Sequence, residues 1–156
     1  MAGRGSVTIF DEFVLALGKG EHDLSAAGDT IKLGLIKGTE EIGGIDPART
    51  DSTPTWLDYS SAQVVTTGGY TNGGETLSGQ TYTEVDGVAT FDDTGNISLA
   101  QNASGFTDAY WGILYNDSNA TKMAIAFVDL AGPVSEVAGP VTINWNAAGI
   151  FTISIS

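Results

Sequence analysis

The stretch GGYTNGGETLSGQTYT, from Gly68 to Thr83, is the one place where residue types and spacing raise phosphate chemistry. A phosphate-binding loop needs glycines that admit backbone N–H groups to the anion and a helix opening straight afterwards. Here no Gly-Lys-Ser/Thr occurs, and Gly68-Gly69-x-x-x-Gly73-Gly74 lacks the G-x-G-x-x-G spacing. Beyond Gly74 the residues Leu77, Thr81, Thr83 and Val85 fall at period two, and Thr and Tyr favour strand. Asn72-Gly73 is a turn signal, because both residues tolerate positive φ. Gly79 within the strand pattern marks a bulge or a close backbone approach. The stretch reads as a bend between strands.

The remaining catalytic inventory is thin. His22 is the only histidine and sits in KGEHDL, where a surface or capping role is expected. A serine triad would need a nucleophile motif such as G-x-S-x-G, and the sequence has none. Paired carboxylates are the other route, since two of them can hydrolyse a glycosidic bond. Asp92 and Asp93 are adjacent, so on a strand they face opposite sides. In FDDTGN they read as turn formers, and Glu40-Glu41 and Glu84/Asp86 also lie beside turn signals. The oxygen-rich turns FDDTGN and LYNDSN are the places a calcium ion would choose, but neither matches the D-x-[DN]-x-[DN]-G loop with its distal Glu. No cofactor, no metal and no enzymatic turnover are expected. Four N-x-S/T sequons, at Asn96, Asn102, Asn116 and Asn119, carry little weight in a chain this rich in Asn, Ser and Thr.

Aromatic residues offer a different chemistry, a surface for sugars or proteins. Trp111, Ile113 and Tyr115 share one face of a candidate strand while Tyr110 and Leu114 share the other, as in a strand buried on both sides. Trp145 alternates with Val141 and Ile143 and reads as core. Trp56, Tyr59 and Tyr70 lie in or beside loops and, with Arg4, are the expected protein-contact residues.

Composition limits the partners. The chain has 156 residues, six Lys or Arg against nineteen Asp or Glu, and a net charge of −13. Such a chain repels nucleic acid and anionic membrane, so neither is expected as a partner. Cysteine is absent, which excludes disulfides, thiol chemistry and Cys-type zinc sites. The N-terminal apolar piece is interrupted by Asp11 and Glu12, so no signal peptide is expected.

The elements that must position these residues follow from periodicity. Ile9, Phe10, Phe13, Val14 and Leu17 recur at helical spacing, predicting one helix at about residues 7–17 behind a flexible arm over residues 1–6. From Asp29 the period is two. Ile31, Leu33 and Leu35 share a face, and further strands are expected at 62–67, 75–85, 88–91, 97–101, 109–115, 122–130, 141–145 and 150–155. Residues 38–55 read as a long surface loop, functional or mobile. The expectation is one domain over 7–156, an all-β antiparallel sandwich or barrel of roughly nine short strands with one short N-terminal helix.

Several of these segments, taken in order, resemble a group of tailed-bacteriophage virion structural proteins. They are DTIKLGLI behind the N-terminal helix, SSAQVVTTGGYTNGGETLSGQTYT, AYWGILYND and the closing VTINWNAAGIFTISIS with its Trp-Asn-x-x-Gly step. The resemblance covers most of the chain from about Phe10 and departs in KGTEEIGGIDPARTDSTPTW. It implies a capsid decoration, or cement, protein on the outer capsid surface of the virion. The implied partner is the major capsid protein, and the implied self-association is a homotrimer. A tail or baseplate component is the alternative within that class. A carbohydrate-binding host-recognition module is the alternative outside it.

Overall fold

The computed structural model describes residues 5–154. Ten strands and little helix make the chain all-β. Strand β1 (Val7–Ile9) leads into helix α1 (Asp11–Gly18), followed by β2 (Ile31–Ile36), the single-turn helix α2 (Trp56–Tyr59) and β3 (Glu75–Thr76). Then come β4 (Gln80–Val85), β5 (Val88–Asp93), β6 (Ile97–Leu99), β7 (Ala109–Asn116), β8 (Ala124–Val134), β9 (Val141–Ile143) and β10 (Phe151–Ser154). All pairings are antiparallel. One five-stranded sheet runs β1-β8-β7-β2-β3, a second runs β10-β5-β4, and β6 pairs with β9.

The central strands β2, β7 and β8 are buried on both faces. Leu33, Leu35, Leu114 and Val128 point into a large core shared with Phe91 of β5, Phe151 of β10, Leu99 of β6 and Phe13 of α1. Ile36, Ile113, Tyr115 and Phe127 point to the opposite face, against Phe10, Trp56 and Tyr59. The doubly apolar pattern of AYWGILY therefore reports a strand with a core on each side.

Helix α1 is shorter than the periodicity predicts. Residues 7–9 extend along β8 instead, with Val7 opposite Val128 and Ile9 opposite Ala126. Their branched side chains suit a pleated surface, and the sheet has an edge for them to join. Of the arm expected over residues 1–6, residues 1–4, and Arg4 with them, lie outside the described residues. Gly5 and Ser6 are held by the sheet: the Gly5 N–H donates to the Asp129 carbonyl at 2.7 Å, and the Asp129 N–H to the Ser6 carbonyl at 3.0 Å.

Three further expectations need correction. The single strand expected at 75–85 is two, β3 pairing with β2 and β4 with β5 in a different sheet. The strand expected at 62–67 reduces to one bridge, Ile36 to Gln63, after a 3₁₀ turn at Ser60–Ala62. The helical turn just before it carries its own start signal, since the Asp58 carboxylate accepts from the Thr55 N–H and hydroxyl, each at 2.8 Å. The 38–55 loop is tied down rather than free. Asp46 accepts from the Thr39 N–H (3.0 Å) and hydroxyl (2.6 Å) and from the Trp111 indole (2.9 Å), and Ile45 packs on the second core. Burial pushes the Asp46 carboxyl up, but the Thr39 and Trp111 hydrogen bonds outweigh it and hold it below the usual carboxylate range.

Candidate protein-contact groove

The aromatic contact residues expected from the sequence are core residues. Trp56, Tyr59 and Tyr70 are 6, 3 and 2 % exposed. The Trp56 ring stacks flat on Tyr115, centroids 5.1 Å apart, and lies against β2 where Gly34 has no side chain to obstruct it. The Tyr59 hydroxyl donates to Asp51 at 2.7 Å. The Tyr70 hydroxyl accepts from the Leu35 N–H at 2.8 Å, and its ring meets Phe106 edge-on. Burial raises the phenol of Tyr70 well above its ordinary range, and likewise that of Tyr59, so both remain hydroxyl hydrogen-bonding groups. Burial also pushes Tyr115 up to about 12. Loop position in the sequence does not mean surface position when the loop crosses a sheet face.

His22 is likewise misplaced by the sequence reading. It is 6 % exposed and packs on Phe13, ring centroids 5.3 Å apart. Its Nδ1 lies 3.1 Å from the Asn116 side-chain nitrogen, which also donates to Asp29 at 2.7 Å. Nδ1 is then the acceptor, which leaves the proton on Nε2, and Nε2 is buried with no partner. Burial lowers the imidazole pKa, against the opposing pull of Asp29 and Glu21.

The carboxylates serve the fold. Asp93, in FDDTGN, accepts from the Gly79 N–H at 2.6 Å, the Gly95 N–H at 3.3 Å and the Trp145 indole at 3.2 Å. Asp117, in LYNDSN, pairs with Lys122 at 2.6 Å and Lys32 at 3.1 Å. Burial pushes Asp117 up, and the two lysines reverse that and hold it below its ordinary range. Glu84 accepts from the Gly87 N–H inside the β4–β5 turn. Among the described residues no three metal-ligating side chains come together.

The glycine-rich loop does hold a carboxyl group, but one from its own chain. Glu136 is fully buried, and its Oε1 accepts from the Gly69 N–H at 2.6 Å. A Cβ on Gly68 or Gly105 would strike its carboxylate, so these glycines make the space it occupies. No sequence signal announced this pairing of residues 67 apart.

The open surface lies elsewhere. Along one side of the molecule, β1 and β10 are both sheet edges, and a groove of about 1180 Å³ runs between them. Its lining takes in every residue from Gly5 to Asp11 and from Gly149 to Ile153, with Val128, Val134 and Ile143 at its floor and walls. Exposed Val14 on α1 continues it outward. The charged side chains of the lining are Asp11 and Arg49, paired with each other at 2.9 Å. The opening is thus locally neutral in a chain of charge −13, and it mixes apolar residues with serine, threonine and asparagine.

No known family model, curated protein or solved structure matches the chain.

Proposed function

We propose that this protein is a non-enzymatic structural component of a tailed-phage virion, a capsid decoration protein bound to the outer capsid surface by contacts with the major capsid protein. The observation that carries the reading is the ordered series of segments from DTIKLGLI to VTINWNAAGIFTISIS, spread over most of the chain. Its non-catalytic part is supported by the use of the polar candidates within the fold: Asp93 and Asp117 bind backbone and lysines, and His22 packs on Phe13. The attachment surface in this reading is the groove between β1 and β10, not Trp56, Tyr59 or Tyr70.

A bridging subunit stabilises a shell by burying area on two or three capsomers at once. After the first contact the later ones are effectively intramolecular, which raises avidity by roughly 10²–10⁴. A homotrimer seated where capsomers meet provides that multivalency. The test adds the purified chain to undecorated capsids, measures bound protein and heats the particles while following DNA release. Saturable binding and a higher release temperature are the expected results. Absence of binding overturns the reading, and binding to tails or to a glycan array in its place selects one of the other two classes.

A further inference from the structure

We propose that the groove between β1 and β10 is a strand-acceptor site, which takes an uncharged extended segment of a partner protein as an added strand on β1. In an antiparallel pair, successive residues direct their backbone groups alternately toward and away from the neighbouring strand. Ser6 accepts from Asp129, and the Phe10 N–H donates to the Ile125 carbonyl at 3.1 Å, so Ser6, Thr8 and Phe10 face β8. The N–H and C=O of Val7 and Ile9 therefore point away from β8, along the open edge. None of the four has a hydrogen-bond partner among the described residues.

The opposite lip has the same property. The β4–β5 turn closes on the pair Val85 and Val88, which fixes even-numbered residues of β5 toward β4 and odd-numbered ones toward β10. Ile153 then faces Ala89, and Thr152 turns its N–H and C=O outward on the groove side of the sheet. The Ser6 hydroxyl, a further unmet polar group in the lining, is buried with no partner. Unpaired backbone groups in a row are recognised by another extended backbone, because only that supplies donors and acceptors at the strand repeat.

The lining selects the side chains of such a segment. Val7, Val128, Val134 and Ile143 offer apolar contact to one face of an inserted strand, and Thr8, Thr142 and Thr152 offer hydroxyls. Asp11 and Arg49 cancel, so the site carries no net charge to attract an acidic or a basic peptide. The occupant is thus an uncharged strand with an apolar residue at every second position. This refines the attachment reading above by naming its site and chemistry, yet the two fail separately.

The probe is a fluorescein-labelled heptapeptide alternating threonine and valine, titrated into the full chain and followed by anisotropy. We expect saturable binding that is insensitive to salt, and at least tenfold weaker binding by the same peptide N-methylated along one edge. Amide exchange is read in parallel: the Val7 and Ile9 N–H groups exchange fast in the unliganded chain and become protected with the peptide, while Thr8 is protected throughout. The variant is Val7→Pro, which deletes an outward N–H and no ladder bond, as proline allows at a sheet edge. It should keep the parent's circular dichroism and lose peptide binding at least tenfold. Should Val7→Pro fail to fold, the exchange pattern of the parent decides. Absence of saturable binding, equal affinity of Val7→Pro, or unchanged exchange at Val7 and Ile9 each overturns the proposal. A concentration-dependent oligomer that Val7→Pro dissolves overturns it too, because the edge is then taken by a second copy. Capsid attachment without peptide binding would sink this assignment alone, and peptide binding without capsid attachment would sink the cement reading alone.

Discussion

At the scale of single residues, buried polar atoms define what pH and substitution do to this chain. His22 is neutral in the fold, and burial depresses its pKa below the unfolded value. Its contribution to stability is therefore complete above about pH 6.5, the ordinary imidazole value. It declines as pH falls through that value, because the unfolded state takes up the proton first, and levels off below the folded pKa. The facing charges, Asp29 and Glu21, reduce this depression without reversing it. Thermal melts between pH 7.5 and 5.5 should show a falling midpoint for the parent and a flatter profile for His22→Gln. Equal slopes would remove His22 as the cause. Trp56 gives a second residue-scale prediction. Truncation to alanine empties the space against Tyr115 and Gly34, and Trp56→Ala should lose about 3–5 kcal/mol in denaturant unfolding. Gly34→Ala meets the same ring from the other side and should cost about 1–3 kcal/mol through overpacking.

At the scale of elements, the glycine loop and the segment after β8 are one unit. The chain from Gly68 to Gly74 is anchored through Glu136 below and through the Tyr115 hydroxyl, which donates to the Gly73 carbonyl. Substituting Gly68→Ala places a methyl in the volume of the Glu136 carboxylate and must push it from the Gly69 N–H. The expected result is a loss of about 1–3 kcal/mol, the scale of an overpacked site. Hydrogen exchange in Gly69–Gly73 should rise with it, and unchanged exchange there would show that the loop is held by other contacts. The loop over residues 38–55 acts differently from its sequence appearance, since Asp46 ties it to Thr39 and Trp111. Its exposed tip is Ile42, at 97 %. Ile42→Ser should therefore leave the unfolding midpoint unchanged within error, which a urea titration checks.

At the scale of the whole molecule, charge and the open edge act together. A chain of −13 is steered toward basic surface at long range, and in the proposed attachment the neutral groove would carry the short-range contact. Association with capsids should then slow as ionic strength rises from about 0.01 to 0.15 M, where the screening length shortens from roughly 30 to 8 Å. Dissociation should change little. Stopped-flow measurement with labelled protein separates the two, and a salt effect confined to dissociation would contradict this division. Light scattering tests the proposed trimer, with a monomer at every concentration and on every particle as the result that excludes it.

The sequence by itself determined the all-β class, because period-two alternation in IKLGLI, TYTEV and FTIS needs no knowledge of neighbours. It also determined that AYWGILY is covered on both faces, whereas of FDDTGN, read as a turn, only Thr94 and Gly95 bend the chain and Asp92 and Asp93 end strand β5. Tertiary structure alone decided the rest. Residues 7–9 became strand because β8 offered an edge, a contact more than a hundred positions away that overrides a short helical period. Trp56, Tyr59 and Tyr70 became core because the α2 turn lies across the second core and the glycine loop across the first, and that crossing is invisible in local pattern. His22 and Glu136 are buried through partners 94 and 67 positions away. The groove is likewise a product of sheet order: β1 and β10 are edges only because β8 and β5 pair as they do. An edge is a statement about which partner is missing, and no stretch of sequence records that.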